Sequence, residues 1–383
     1  MKLALISSDG REPLKRYDFG ETIPPPPQAA LLAGLAGFPG LEVHHISCLQ
    51  QPVREPERWV GNICYHSLHV PKFGWMRTLY QGCVRAIRKK LKTIQPDIVH
   101  GQGTERECAL AAALSGFPNV ITIHGIMSEQ ARLFRSQPGS FLWLATHLEN
   151  FALRRTDGVL CNSAYTENSI RPRTAKTWRV PNPLRADFFE SPAAANKLGR
   201  PVLLNVGHVC SRKRQVELIQ SAVALKNRGL DFELHFIGTA DAADKYGAEF
   251  FQLGGANPDW LKYLGTKNTA ELIAAFDQVS ALVHVPTEES FGLVAAEALA
   301  RNLKFFGSAT GGVVDIATDV DGAELFAPQD WISLENAIAR WLVAGCPRPV
   351  SAANTMRERY QPRVIAQQHL EIYREVLAGR VAP

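Results

Sequence analysis

Short apolar runs alternate with amphipathic stretches along almost the whole chain. Apolar runs at 3–7, 42–46, 98–100, 120–123, 158–161 and 177–180 read as buried strands. After a break the same pattern resumes at 202–206, 233–237, 261–264, 281–285, 304–306 and 323–326. The stretches between them carry helical periodicity at 28–36, 75–94, 105–114, 142–156, 215–227, 270–276, 292–300 and 332–343. A last amphipathic run, 363–378, follows Pro362. Strand–helix–strand alternation on this scale predicts parallel sheets covered by helices on both faces. The pattern runs twice, and 184–200 between the two runs has no clear period. The expected fold is therefore α/β, with two Rossmann-like, doubly wound parallel-sheet domains facing a cleft. Domain one spans 1–183, a connection 184–200, domain two 201–350, and a helical segment 351–383 packs back towards domain one. Ligands of such sheets sit beyond the carboxyl ends of the strands, so candidate chemistry is sought just after strands.

The most informative such position follows 281–285. The segment 286–301 reads P-T-E-E-S-F-G-L-V-A-A-E-A-L-A-R. Glu289 and Glu297 stand on either side of a turn that opens a helix, with Ser290 and Gly292 at the turn. A helix start offers unpaired backbone N–H groups and partial positive charge, which suits phosphate. Carboxylates are poor phosphate ligands but good acceptors for sugar hydroxyls. The combination predicts a ligand with both groups. A helix starting near Phe291 puts Glu297 roughly 9 Å along it at 1.5 Å per residue. That span matches a ligand stretched from a sugar past a diphosphate to a ribose.

Pro286, Glu289, Phe291-Gly292, Glu297 and Ala298 resemble the signature of the retaining nucleotide-sugar glycosyltransferases of family 4, which have the GT-B fold. The resemblance implies that Glu289 holds donor-sugar hydroxyls and Glu297 the ribose hydroxyls. It also implies that backbone N–H groups around Phe291–Leu293, with Ser290 and Gly292, hold the distal phosphate. It runs in order through most of the second half of the chain. The first half is similar in layout more than in detail.

The loop after 202–206 reads G-H-V-C-S-R-K-R-Q. Gly207 makes a turn, and Arg212, Lys213 and Arg214 open a helix where cations can clamp a diphosphate. Lys213 occupies the family's Lys position, and His208 stands where the family has Arg, so Arg212 or Arg214 is expected to supply that charge. His124 ends a buried strand and can donate to a sugar hydroxyl or to charge at the reacting centre. The resemblance gives it contact with the donor sugar. Catalytic roles are thus expected for His124, Glu289 and Lys213. His100, ending 98–100, is expected on the acceptor side, and Gly20 near the donor phosphate. Gly311 and Gly312 allow close backbone approach and are expected to shape the donor pocket. Asp315 replaces the Glu of the family's G-G-x-x-E. Asn182 in V-P-N-P reads as structural.

Composition sets limits. At 383 residues with 46% hydrophobic and 21% charged residues, the chain has room for two soluble domains. The apolar run after Met1 is too short for a signal peptide. Seven scattered cysteines without a C-x-x-C pair indicate reduced thiols and a cytoplasmic location. Residues 1–183 carry 22 Lys and Arg against 14 Asp and Glu, whereas 184–383 carry 20 against 23. The basic first half includes 75–94, whose polar side has no acid. That stretch reads as a core-facing helix. The alternative is a helix lying on an anionic membrane surface, which would place the protein peripherally at the inner face of a membrane.

No H-x-x-x-H spacing is present, a metal-clamped diphosphate is not expected, and no cofactor is implied. Nucleic-acid readout is not expected either. The expected partners are a nucleoside diphosphate sugar, with UDP the commonest base in the family, and a glycan, glycolipid or small-molecule acceptor. A nucleotide-sugar epimerase of the same fold and a non-catalytic nucleotide-sugar binder are the alternatives.

Overall fold

Parallel strands dominate both halves of the computed structural model, which describes residues 1–18, 21–190 and 199–381. The chain divides into two units, 1–185 with 360–383 and 186–359. The first contains β1 (Lys2–Ile6), β2 (Glu42–Leu49), β3 (Glu57–Val60), β4 (Ile63–His69), β5 (Ile98–Gln102), β6 (Asn119–Ile123), β7 (Val159–Cys161) and β8 (Thr177–Arg179). Their order is β3-β4-β2-β1-β5-β6-β7-β8, and only the β3–β4 pair is antiparallel. The second unit contains β9 (Val202–Val206), β10 (Glu233–Ile237), β11 (Leu261–Tyr263), β12 (Ala281–His284), β13 (Lys304–Ser308) and β14 (Ala323–Phe326). They pair in parallel in the order β11-β10-β9-β12-β13-β14.

The inner strands are largely apolar because helices cover both sheet faces. In the first unit, Ala4, Ile6, Ile46 and Val99 pack against the helices Gln81–Ile94 and Glu107–Ala113. Leu3, Leu5 and Val43 pack on the other face against Pro26–Leu35 and Pro362–Val381. Prolines at the start of Pro26–Leu35 suit a position whose N–H needs no partner.

Several expectations change. The end of the chain is divided: Pro362–Val381 belongs to the first unit, whereas Ala352 to Arg359 belong to the second. Within the expected connection 184–200, Phe188 is buried against Phe276, and Arg301 donates to Phe188 O at 3.3 Å and Glu190 O at 2.5 Å. Those residues are part of the second unit, and 191–198 lie outside the described residues.

The helix expected at 75–94 starts at Gln81, after two 3₁₀ turns, Lys72–Gly74 and Met76–Thr78. Leu79 and Tyr80 take left-handed backbone angles (φ 51° and 61°), which no helix continues through. The indole of Trp75 anchors the turns by donating to Val70 O at 2.8 Å. The β3–β4 hairpin was not expected. Its turn is Gly61-Asn62 between Val60 and Ile63, with Gly61 at φ 58°, a two-residue hairpin connection.

Burial leaves the first unit sensitive to acid. The rings of His45, His66 and His369 are almost wholly inaccessible, and burial holds each down to about 4. Unfolded histidines titrate near 6.5. Between those values the unfolded chain binds protons that the folded chain refuses, so stability falls as pH drops through that window. At pH ~5.5 each ring costs roughly 1 kcal/mol. The unfolding transition of the first unit should therefore move down by several degrees between pH ~7.5 and ~5.5. A pH-independent melting curve would contradict this.

Candidate active site

In the second sheet, β9 lies between β10 and β12. The chain builds outward from β9 to β10 and β11, then returns to add β12 on the other side. Loops diverge at such a switch point and leave a crevice at the carboxyl ends. The loops after β9 and β12 flank it, and they hold most of the residues expected to bind donor.

The β9 loop is fixed before its cations are placed. Gln215, 1% exposed, donates to His208 O at 3.1 Å and accepts from Cys210 N at 3.3 Å. Arg214, at φ 58°, precedes the helix Gln215–Asn227. Thr287 N donates to Arg212 O at 2.8 Å, joining the β9 loop to the β12 loop. Gly207 takes φ 152°, and a Cβ on Gly238 would lie 2.0 Å from its carbonyl oxygen. The β9 and β10 loops therefore meet backbone to backbone.

Lys213 and Glu289 form an ion pair across the two loops, with only 14% and 16% of their side chains exposed. His284, at the end of β12, places Nε2 3.3 Å from the same carboxylate oxygen. Burial would raise the Glu289 carboxyl, but Lys213 and His284 outweigh it and hold the group well below the usual carboxylate range. Burial and Lys213 together lower the His284 ring. Near neutral pH, Glu289 is therefore a fixed anion with no proton to give. It can accept sugar hydroxyls or face developing positive charge, but it cannot act as a general acid.

The other cations are committed differently. Arg212 donates to Glu288 O at 3.0 Å and lies 3.6 Å from the Glu288 carboxylate. Burial raises the Glu288 carboxyl, with Arg212 opposing. The guanidinium of Arg214 lies 6.0 Å from the Trp331 ring centre. His208 is exposed and shares a hydrogen bond with Thr239 Oγ1 at 2.7 Å. Lys213 is thus the cation of this loop paired with Glu289.

Ser290, Phe291 and Gly292 are buried, and Leu293 is half-buried. The helix runs from Leu293 to Leu299, one residue shorter at each end than the expected 292–300. Gly292 caps it at φ 102°. Glu297 is 7% exposed. Gly311 and Gly312 act through their lack of side chains. A Cβ on Gly311 would fall 1.7 Å from Glu289 O, and one on Gly312 would fall 2.5 Å from Ser290 O. Gly312 N donates to Glu289 O at 2.9 Å. The β13 loop therefore presses directly on the backbone that carries Glu289.

In the first unit, His124 follows β6. Its Nε2 lies 2.9 Å from both Gln28 Nε2 and Gln102 Oε1. Burial lowers its pKa to about 4, against a hydrogen bond to Asn182, so the ring is neutral at physiological pH. His100 does not meet its expectation. β5 continues to Gln102, leaving His100 inside the strand and 0% exposed. One ring nitrogen is 2.6 Å from Tyr373 Oη and the other 2.7 Å from Thr122 Oγ1. It anchors the C-terminal helix and cannot line an acceptor site. Gly20 lies outside the described residues.

Two residues missed in the sequence belong to the site. His284 is the direct partner of Glu289, and Gln215 shapes the cationic loop. A histidine at the last strand position, five residues before a glutamate, was the available signal for the first. The structure also gathers His44, Cys64 and His66, whose ligand-type atoms lie within 4.8 Å of one another. His44 Nδ1 and His66 Nε2 are 2.8 Å apart, and Glu42 and Glu57 occupy the outer ring nitrogens. A tetrahedral zinc spreads two imidazole nitrogens to about 3.3 Å. The observed separation fits a shared proton.

The strand order of the second unit, with charged loops at its switch point, is that of nucleotide-binding α/β proteins. Residues 187–359 match the family model of glycosyl transferases group 1, and residues 29–188 match that of glycosyltransferase family 4. The chain belongs to the GT-B glycosyltransferases. It is 22% identical over 270 residues to YqgM of Bacillus subtilis strain 168, an uncharacterized glycosyltransferase, covering 68% of this chain and 72% of that protein. Sucrose-phosphate synthase from Thermosynechococcus elongatus superposes with a TM-score of 0.74 at 20% identity, over 99% of this chain and 100% of its own. Anabaena HepE, solved in complex with UDP, gives 0.70 at 16% identity over 98% and 100%. Among the described residues no helix is long and apolar enough to cross a membrane.

Proposed function

We propose that this glycosyltransferase moves a hexose-type sugar from a UDP-sugar to a hydroxyl of a glycan, glycolipid or small molecule, with retention of configuration and without a metal ion. The observation that carries this reading is the Lys213–Glu289–His284 cluster at the switch point of the second sheet. Lys213 is the cation for the departing diphosphate, where negative charge grows as the glycosidic bond breaks. Arg212 and the backbone around Ser290–Leu293 add to it. The following helix has only seven residues, so the lysine contributes more than the helix end. Glu289, held ionised, takes donor-sugar hydroxyls and stabilises positive charge on the sugar. Glu297 takes the ribose hydroxyls. His124, neutral near pH 7, contacts the transferred sugar. The choice of UDP is supported by the fold shared with HepE, which was solved with UDP and with UDP-glucose.

Calorimetric titration with UDP-, GDP- and ADP-glucose in the presence of a chelator tests the donor site. The expected result is saturable binding of the UDP-sugar, weakened about 10- to 100-fold by Glu297→Ala through the loss of charged hydrogen bonds. Unchanged binding in the variant would refute the ribose assignment.

A further inference from the structure

Three helices cover one face of the first sheet, Gln81–Ile94, Glu107–Ala113 and Phe141–Leu153. The middle one is almost wholly buried and packs against the other two. The outer surface of this layer therefore comes from the two flanking helices and the turns that lead into them.

The first flanking helix exposes Arg85, Arg88, Lys89 and Lys92. Their i, i+3, i+4, i+7 spacing makes one stripe. The second exposes Trp143, His147 and Phe151 at i, i+4 and i+8, followed by Arg154 and Arg155. The preceding turns add apolar tips: Phe73 is 69% exposed and Phe134 is 55% exposed. Residues 72–94 and 132–155 together contain eight of the seventeen exposed large hydrophobic residues among those described, and ten exposed Lys and Arg. Their one acid is Glu149, whose side chain is 0% exposed and paired with Arg173. A surface selected only for solubility mixes charge signs and buries its aromatics. This one is strongly basic, its acids at the margin being Glu129 beside Arg132 and Glu57 beside Lys90, and it presents aromatic and aliphatic side chains as well.

We infer that this face docks on an anionic lipid bilayer. Arginine and lysine would sit at the phosphate headgroups, and Phe73, Phe134 and Trp143 would enter the interfacial zone where aromatic side chains are favoured. Charge complementarity selects this occupant. Exposed apolar side chains such as Phe73 and Phe134 need a soft apolar layer, which nucleic acid does not offer. The inference uses no residue of the proposed donor site and stands apart from the reaction.

Co-sedimentation of the full chain with unilamellar vesicles tests it. The expected result is binding to phosphatidylcholine vesicles holding about one-third phosphatidylglycerol, at least 10-fold tighter than to pure phosphatidylcholine, and lost in ~0.5 M salt. The combined variant Arg85→Gln, Arg88→Gln, Lys89→Gln, Lys92→Gln should bind the anionic vesicles at least ~10-fold more weakly. Phe73→Ser with Phe134→Ser should weaken binding several-fold at unchanged charge. All these side chains are exposed, so melting temperatures should match the wild type. Equal binding to both vesicle types, no binding to either, or wild-type binding by the four-residue variant would overturn the inference. So would a tighter, equally salt-sensitive complex with duplex DNA.

Discussion

Lys213→Ala is expected to lower kcat/KM for donor turnover by about 10³-fold, or roughly 4 kcal/mol of transition-state stabilisation. In the proposed reaction the lysine has two roles. It is the cation for a diphosphate whose charge grows as the glycosidic bond breaks. It also keeps Glu289 ionised, since it is the strongest influence opposing burial of that carboxylate. Removing it leaves Glu289 with His284 alone, 3.3 Å away. The pair is mostly buried, and breaking such a pair leaves an uncompensated charge, so a stability loss of about 2 kcal/mol should accompany the kinetic defect. Kinetics measured well below the variant's melting temperature separate the two effects. Lys213→Arg should recover only part of the activity, because a planar guanidinium does not fit the place of a compact ammonium. Turnover within 10-fold of wild type for Lys213→Ala would contradict the role given to this lysine.

Gly311→Ala is expected to cost on the order of 3 kcal/mol of stability in the second unit and to abolish donor binding. The added methyl would sit 1.7 Å from Glu289 O at a residue with φ 51°. Neither segment can simply move aside. Gly312 N is bonded to that same oxygen, and Thr310 Oγ1 donates to Thr287 O at 3.2 Å. The β12 loop would have to shift, carrying Glu289 away from Lys213. For a unit of this size the melting temperature should drop by about 6–12 °C. Gly255→Ala is the control. It lies in the helix Lys245–Ala256 with open space around its Cβ position, and it should leave stability unchanged or slightly improved. Equal behaviour of the two variants would show that the close approach at Gly311 is unimportant.

Much of the fold was legible because both sheets are buried on both faces, so most strands show as a short apolar run. The positions after strands were legible for the same reason. A carboxylate or lysine just beyond an apolar run stands out, as Glu289 and Lys213 did. What could not be read depends on exposure at a sheet edge, on local backbone geometry and, for one residue, on a partner distant in sequence. The β3–β4 hairpin is at the sheet edge with all four residues of Glu57–Val60 exposed, so β3 lacks an apolar run. Leu79 and Tyr80 have the residue types of a helix and the backbone of a break, set by the anchoring of Trp75. His100 resembled a site residue because its strand was read as ending two residues early, and its partner Tyr373 lies 273 positions away. His284 was hidden inside a strand. Its meaning depends on Glu289 folding back over the strand end.

In the proposed reaction a nucleoside diphosphate sugar is cleaved at the Lys213–Glu289 site with the sugar's configuration kept. The most direct measurement follows the anomeric proton by NMR, with the full chain, α-linked UDP-glucose and a chelator, and water as the default acceptor. The expected result is UDP release faster than in the Lys213→Ala variant, and a first-formed sugar product in the α configuration. No release above that variant, or a β product formed first, would contradict it.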